Sequence, residues 1–350
     1  MPAIPQLPST LPQAQGGDRS NILSIYNQVC RLEITIKEKI QEARFKKDLS
    51  KLEQDLINCR VLGYLLQHAP NSTATSFVGT QILKCNGDDD QIINLGKWFC
   101  DHFIRAFKKV KGRIPPPRRE PRHSVDEGIA TKIDIVSSTS ADYPSTRGDV
   151  KIRDRNRCLV TGAFDYALFK KDKAFSRQAL DAKKEVLEIQ CCHIIGRALN
   201  ERLGPNDDEE RRRYTATVYE IFERFGYRDI TKELKGEKID RLENVISLGV
   251  TSHNCFDSLD MWLSRIPPID PEHKYQVHFS AETLQMYMSF KEVGKELEFS
   301  TEDPGKYPLP NWRYLELHAF AAKVANDSGL VNRDSYSGGD LDNPVDGDET

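Results

Sequence analysis

The pattern of apolar residues changes character once along this chain, and that change limits the folds open to it. From Asn21 to His68 apolar residues recur at helical spacing, as in Ile22, Ile25, Tyr26 and Val29 and again in Leu52, Leu56, Cys59 and Leu62, with Lys, Glu and Gln between them. Two antiparallel helices satisfy that pattern. Pro70 to Thr75 is a polar break, Gly87 to Asp90 punctuates the next stretch, and a further helix is expected from about Gln91 to Lys109. Beyond residue 150 the apolar residues come in short runs instead. RCLVT at 157–161 reads as a strand ending in a turn at Gly162, VLEIQCCHII at 186–195 as a second strand, and NVISL at 244–248 as a third. A helix from Glu209 to Phe225, with Arg211, Arg212 and Arg213 near its start, separates the last two. The expected class is α+β: a helical N-terminal region over residues 21–110, then a mixed domain over 150–280 with an added strand and a C-terminal extension over 281–328.

The segments between and around these regions have different compositions. Residues 1–20, rich in Pro, Gln and Ser, read as a disordered leader, without the basic start and apolar middle of a secretory signal. Residues 111–149 form a linker, basic and proline-rich at first and small and polar later. Residues 329–350 read as an acidic disordered tail. The 350 residues carry a net charge of only −3, which excludes a uniformly basic polyanion binder and leaves local charge distribution to decide. Eight cysteines without any CxxC pair argue for reduced thiols and against a four-cysteine zinc ribbon, so an intracellular location, nucleus or cytoplasm, is expected. Even the most apolar run, Val61 to Ala69, is broken by Gly63, Gln67 and His68, so no membrane span is expected. The N-terminal helices hold no cluster of catalytic residue types and read as a packing module or a contact surface for a protein partner.

Chemistry concentrates on the helix expected to begin near Thr251 and to end at Pro267-Pro268. At about 100° per residue, His253 and Asp257 share one face, while Cys255, Leu259, Trp262 and Ile266 gather on the other. An imidazole and a carboxylate one turn apart can both reach one divalent cation, although most such pairs are solvated surface residues. Order along the chain makes the signal specific: a strand ending in His193, Asn244 opening another strand, then His253 on the helix that follows.

In that order the sequence resembles the HNH (His-Asn-His) nuclease family, whose ββα-metal motif is a hairpin backed by one helix. It is similar in particular to a group of fungal proteins, through Cys158 to Gly162, His193 to Ile195, Asn244 to Leu248 and His253 to Asp257, and through an expected strand at Tyr275 to Phe279 and helix at Pro308 to Ala325. The resemblance implies metal-dependent hydrolysis of nucleic-acid phosphodiester bonds, on DNA in particular. His193 would be the general base, His253 and Asp257 metal ligands, and Asn244 would orient His193 through its backbone or ring. Where many relatives carry Asp or His just before the base, this chain has Cys192, a poor donor to Mg²⁺. The reading adopted is a divalent ion, Mg²⁺ first with Zn²⁺ or another transition metal as alternatives. It would be held by His253, Asp257 and water, with Cys192 either packed as a small buried residue or joining as a third ligand. Cys191 should face away. Arg153, Arg155, Arg157, Lys170 and Lys171 are the expected phosphate contacts, against the alternative of a solvated basic loop. The rival function is a catalytically inactive HNH fold used for binding.

Overall fold

The computed structural model describes residues 6–11, 19–43, 49–108, 146–200, 209–267, 273–286 and 294–331, with further positions between 128 and 136. The basic proline-rich stretch beyond Lys108, the rest of the leader and the tail from 332 lie outside the described residues.

Four helices open the chain: α1 (Arg19–Glu42), α2 (Leu49–Gln67), α3 (Ser72–Leu83) and α4 (Asp89–Phe99). The apolar stripe of α1, Ile25, Tyr26, Val29, Leu32 and Ile36, is buried against α2, whose residues from Ile57 to Leu66 are buried on every side. Such a helix sits inside the fold rather than on it. Its one buried cation, Arg60, is paired with Glu33 of α1 at 2.8 Å. Asn71 and Asp88 cap α3 and α4 by accepting from Ala74 and Gln91 amides. Gly96 of α4 lies so close to the Asn58 carbonyl of α2 that any Cβ there would collide with it. The expected helix through Lys109 ends its regular part at Phe99 and continues as a π turn, Cys100–Ile104, and a 3-10 turn, Arg105–Phe107.

The second half contains α5 (Arg147–Arg153), β1 (Phe164–Asp165), α6 (Tyr166–Lys171), α7 (Lys173–Asp181), β2 (Val186–Leu187), β3 (Ile189–His193) and α8 (Glu209–Arg224). It continues through α9 (Ile230–Leu234), β4 (Val245–Gly249), α10 (Val250–Asp257), β5 (Met261–Arg265), β6 (Lys274–Phe279), α11 (Ala281–Met286), β7 (Glu296–Glu298) and α12 (Trp312–Ser328). β3 and β4 pair antiparallel with His193 opposite Val245 and Gln190 opposite Leu248. β5, β6 and β7 form a separate antiparallel sheet, and β1 and β2 a short parallel pair. The architecture is α+β, as expected.

The two halves share one core. Phe103, at the end of the α4 extension, lies 4.9 Å from Phe225 beyond α8 and 5.1 Å from Phe320 of α12. Phe107 meets Phe222 of α8 at 5.6 Å.

Five expectations need correction. RCLVT at 157–161 is a turn, not a strand: Gly162 adopts φ +72, and the Cys158 amide donates to the Ala163 carbonyl at 2.9 Å. The helix at Thr251 does not run to Pro267. It ends at Asp257, Leu259 takes φ +67, and Met261–Arg265 is a strand with Met261 and Leu263 buried. Apolar residues at 259 and 262 fit a helical period by coincidence, whereas alternation over 261–265 is the pattern that burial follows. Part of the expected leader is packed, with Leu7 buried and its amide donating to Glu33 at 3.1 Å. Part of the expected linker is packed too: Ile129 and Val136 are buried and Lys132 lies 2.9 Å from Glu223. At the other end, Gly329 caps α12 with φ +83, and Leu330 and Val331 join the core before the tail begins.

Candidate metal centre and base

β4 runs into α10 without a loop, so the helix folds straight back over the hairpin it follows. Side chains alternate along β3. Cys191 faces away, its thiol 3.7 Å from the Arg147 carbonyl, while Gln190 and Cys192 look toward α10. Cys192, His253 and Asp257 each offer a donor atom within 4.8 Å of the others. The Cys192 Sγ is 3.7 Å from Asp257 Oδ1, and His253 Nε2 is 3.3 Å from Asp257 Oδ2. Cys192 is fully buried, whereas the His253 and Asp257 side chains keep 12% and 19% of their surface, so the cluster opens on one side.

Gln190 sets the tautomer of His253. Its Oε1 stands 2.8 Å from Nδ1, and an amide oxygen only accepts, so Nδ1 carries a proton and Nε2 is the ring nitrogen turned toward Asp257. The Cys192 thiol faces Asp257 Oδ1 and His253 Nε2 faces Asp257 Oδ2, so an imidazole nitrogen, a carboxylate and a sulfur converge on one spot. The donor set therefore fits a divalent cation.

His193 ends β3 beside this cluster. Its Nε2 donates to Asp240 Oδ1 at 2.7 Å, and Arg197 Nη2 lies 3.5 Å from the other Asp240 oxygen. Burial pushes the His193 imidazole below its usual range, and the Asp240 carboxylate opposes that shift. Nδ1 has no hydrogen-bond partner among the described residues. The ring is neutral at pH 7, with its basic nitrogen free.

Asn244, completely buried, acts on the chain around His193 rather than on His193 itself. Its Oδ1 accepts from the Ile195 amide at 2.9 Å, and its Nδ2 donates to the carbonyls of Ile195 at 3.0 Å and Ile239 at 2.8 Å. The expected bond to the His193 backbone or ring is thus corrected: one amide ties the residue two beyond His193 to the residue just before Asp240.

Of the five expected phosphate contacts, Arg153 is excluded by burial. Its guanidinium pairs with Asp154 at 2.7 Å and donates to the carbonyls of Leu242 and Val245, each at 2.7 Å. Asp154 in turn accepts from the Ser247 amide at 2.9 Å, so the pair braces the outer side of β4. Arg157 is half-buried, its guanidinium 4.0 Å above the Phe164 ring. Arg155, Lys170 and Lys171 are exposed. Sequence reasoning missed Asp240, Gln190 and Arg197. Gln190 stands two residues before Cys192 on the same strand face and could have been found from alternation. Asp240 comes from a distant 3-10 turn and carried no local signal.

A hairpin with a histidine at the end of its first strand, an asparagine opening the second, and a helix closing a donor cluster over both is the arrangement of the ββα-metal class. Residues 158–263 match the family model of HNH endonucleases, which bears out the likeness read from His193, Asn244 and His253. No curated protein and no solved structure matches the chain. Among the described residues, no helix is long and apolar enough to cross a membrane.

Proposed function

We propose that this protein hydrolyses phosphodiester bonds in DNA, with His193 as general base and a divalent cation at His253 and Asp257. The observation that carries the proposal is the His193–Asp240 pair beside the Cys192, His253 and Asp257 cluster. With Nε2–H committed to Asp240, the His193 Nδ1 accepts a proton from water, and the resulting hydroxide attacks phosphorus in line. Asp240 holds the ring in the needed tautomer and stabilises the imidazolium that forms. Asn244 fixes the separation of the chain segments that carry the base and its carboxylate. His253 and Asp257 would hold the cation, which would supply neutralisation of charge on the transition state and the leaving 3′ oxygen. Exposed Lys170, Lys171, Arg155 and Arg197 supply phosphate contacts without base reading.

Supercoiled plasmid incubated with Mg²⁺, Mn²⁺, Ni²⁺ or Zn²⁺ tests the reading. The wild type converts it to nicked or linear product and His193→Ala does not. Equal activity of the two proteins, or none with any ion, overturns the assignment.

A further inference from the structure

We propose that Cys192 is the third protein ligand of this centre and makes it selective for Zn²⁺ or another thiophilic divalent ion over Mg²⁺. The inference rests on the metal-centre reading above but not on nuclease activity.

Geometry supports a tetrahedral ion. With donor distances of about 2.0 Å for nitrogen or oxygen and about 2.3 Å for sulfur, the edges of a tetrahedral zinc site are roughly 3.3–3.5 Å. The His253 Nε2 to Asp257 separation is 3.3 Å and the Cys192 Sγ to Asp257 separation is 3.7 Å. These two contacts use different Asp257 oxygens, and all three donors lie within 4.8 Å of one another, so the cluster closes onto one ion by side-chain adjustment. The partly exposed edge formed by His253 and Asp257 leaves the fourth position to water.

Chemistry points the same way. Mg²⁺ demands six oxygen donors in near-octahedral order and keeps most of its own waters. A buried sulfur beside the site offers it nothing and occupies room that a water would need. For Zn²⁺ the same sulfur is a preferred donor. On binding, the Cys192 thiol loses its proton to solvent, and thiolate and carboxylate together balance the two positive charges. Gln190 already holds His253 with its Nε2 turned toward Asp257. The Cys192 thiol already points its S–H at Asp257 Oδ1, 3.7 Å away, so loss of that proton turns the sulfur lone pair toward the position an ion would take.

The test uses the full chain, freed of metal by chelation and titrated with Co²⁺. One equivalent should produce a thiolate-to-cobalt charge-transfer band in the near ultraviolet with intense visible tetrahedral bands. The Cys191→Ser protein keeps this spectrum, because that thiol faces away. Cys192→Ser loses the charge-transfer band and binds Zn²⁺ more weakly by on the order of tenfold to hundredfold. Zn²⁺ displaces the cobalt, and a large excess of Mg²⁺ does not. Absence of the band, its survival in Cys192→Ser, or displacement by Mg²⁺ overturns the proposal. Should Cys192→Ser fail to fold, X-ray absorption at the zinc edge of the wild type decides directly: one sulfur neighbour supports it, none refutes it. A cobalt–thiolate spectrum with no plasmid nicking under any ion leaves this centre standing and removes the nuclease reading. Nicking supported by Mg²⁺ without the band does the reverse.

Discussion

Acidification should loosen the metal centre from behind, through His318. This residue of α12 is completely buried, and its ring stacks on Phe256 of α10 at 3.6 Å, one residue from Asp257. Its Nε2 donates to the Phe256 carbonyl at 3.1 Å, and its Nδ1 is buried with no partner among the described residues. A second proton would sit on Nδ1 with no acceptor among the described residues. Burial accordingly pushes the imidazole down from 6.5 to about 4, against weak opposition from the Phe256 carbonyl and the Asp257 charge. The unfolded chain binds the proton more readily than the folded one. The stabilisation is therefore complete above pH 6.5 and is lost as pH falls from 6.5 toward 4. By linkage, about 2 kcal/mol is gone at pH 5 and about 3 kcal/mol below pH 4, out of a total that for most domains is roughly 5–15 kcal/mol. His318→Leu removes the titration, and the Phe256 carbonyl still accepts from the Leu259 amide at 3.1 Å, so no buried acceptor is orphaned. Urea unfolding of both proteins at pH 7 and pH 5 should show a drop larger by about 2 kcal/mol in the wild type. Equal drops would refute the assignment of acid sensitivity to this ring.

Three further outcomes follow from the site and its supports. Asp240→Asn should move the acid limb of the pH–rate profile to lower pH, because the carboxylate that raises the His193 pKa against burial is gone. The plateau should fall within the roughly 10²–10⁴-fold that general-base catalysis contributes. Asn244→Ala and Asn244→Asp should both lower thermal stability by about 3 kcal/mol or more, since three buried hydrogen bonds are lost in the first and a carboxylate has no donor for the carbonyls of Ile195 and Ile239 in the second. Lys170→Ala with Lys171→Ala should reduce the salt dependence of DNA binding by about one unit of slope each, whereas Arg153→Lys should leave that slope unchanged and destabilise the fold, read by filter binding and by denaturation.

The strands and helices around the base were legible because their residues obey one period each. β4, Val245–Gly249, is NVISL shifted by one residue, α8 matches its expected span within one residue, and α1 and α2 follow the stripe from Ile22 to Leu62. The helix at Thr251 was overextended because Leu259 and Trp262 satisfy a helical period while actually flanking a left-handed turn and a strand. Position on a face could be read from β3, which correctly separates Cys191 from Cys192. Charge could not be read as exposure: Arg153 looked like its exposed neighbour Arg155, yet only the fold reveals the carbonyls of Leu242, Val245 and Pro308 around its guanidinium. Asp240 was invisible for a related reason. Its partnership with His193 is made by a 3-10 turn, Gly236–Asp240, that no apolar pattern marks.

The hairpin and helix that carry the site do not make a stable unit by themselves. Every residue of β4 is buried, and its outer side is braced by Arg153 and Asp154, which precede the family match at 158–263. Phe222 of α8 and Phe225 just beyond it pack on Phe103, Phe107 and Phe320, all outside that match, and the ring beneath Phe256 belongs to α12. Exposing an aromatic side chain costs about 1.5–3 kcal/mol, so losing the cover of three removes about as much as a whole domain's net stability. Residues 158–263 expressed alone should therefore lack near-ultraviolet circular dichroism and a cooperative thermal transition, while the full chain shows both. A cooperative, well-dispersed isolated segment would mean that the helical half merely accompanies the site. On the packing seen here, Arg153, Asp154 and α12 brace β4 and α10 directly, and the helical half backs α8 and α12 through Phe103 and Phe107.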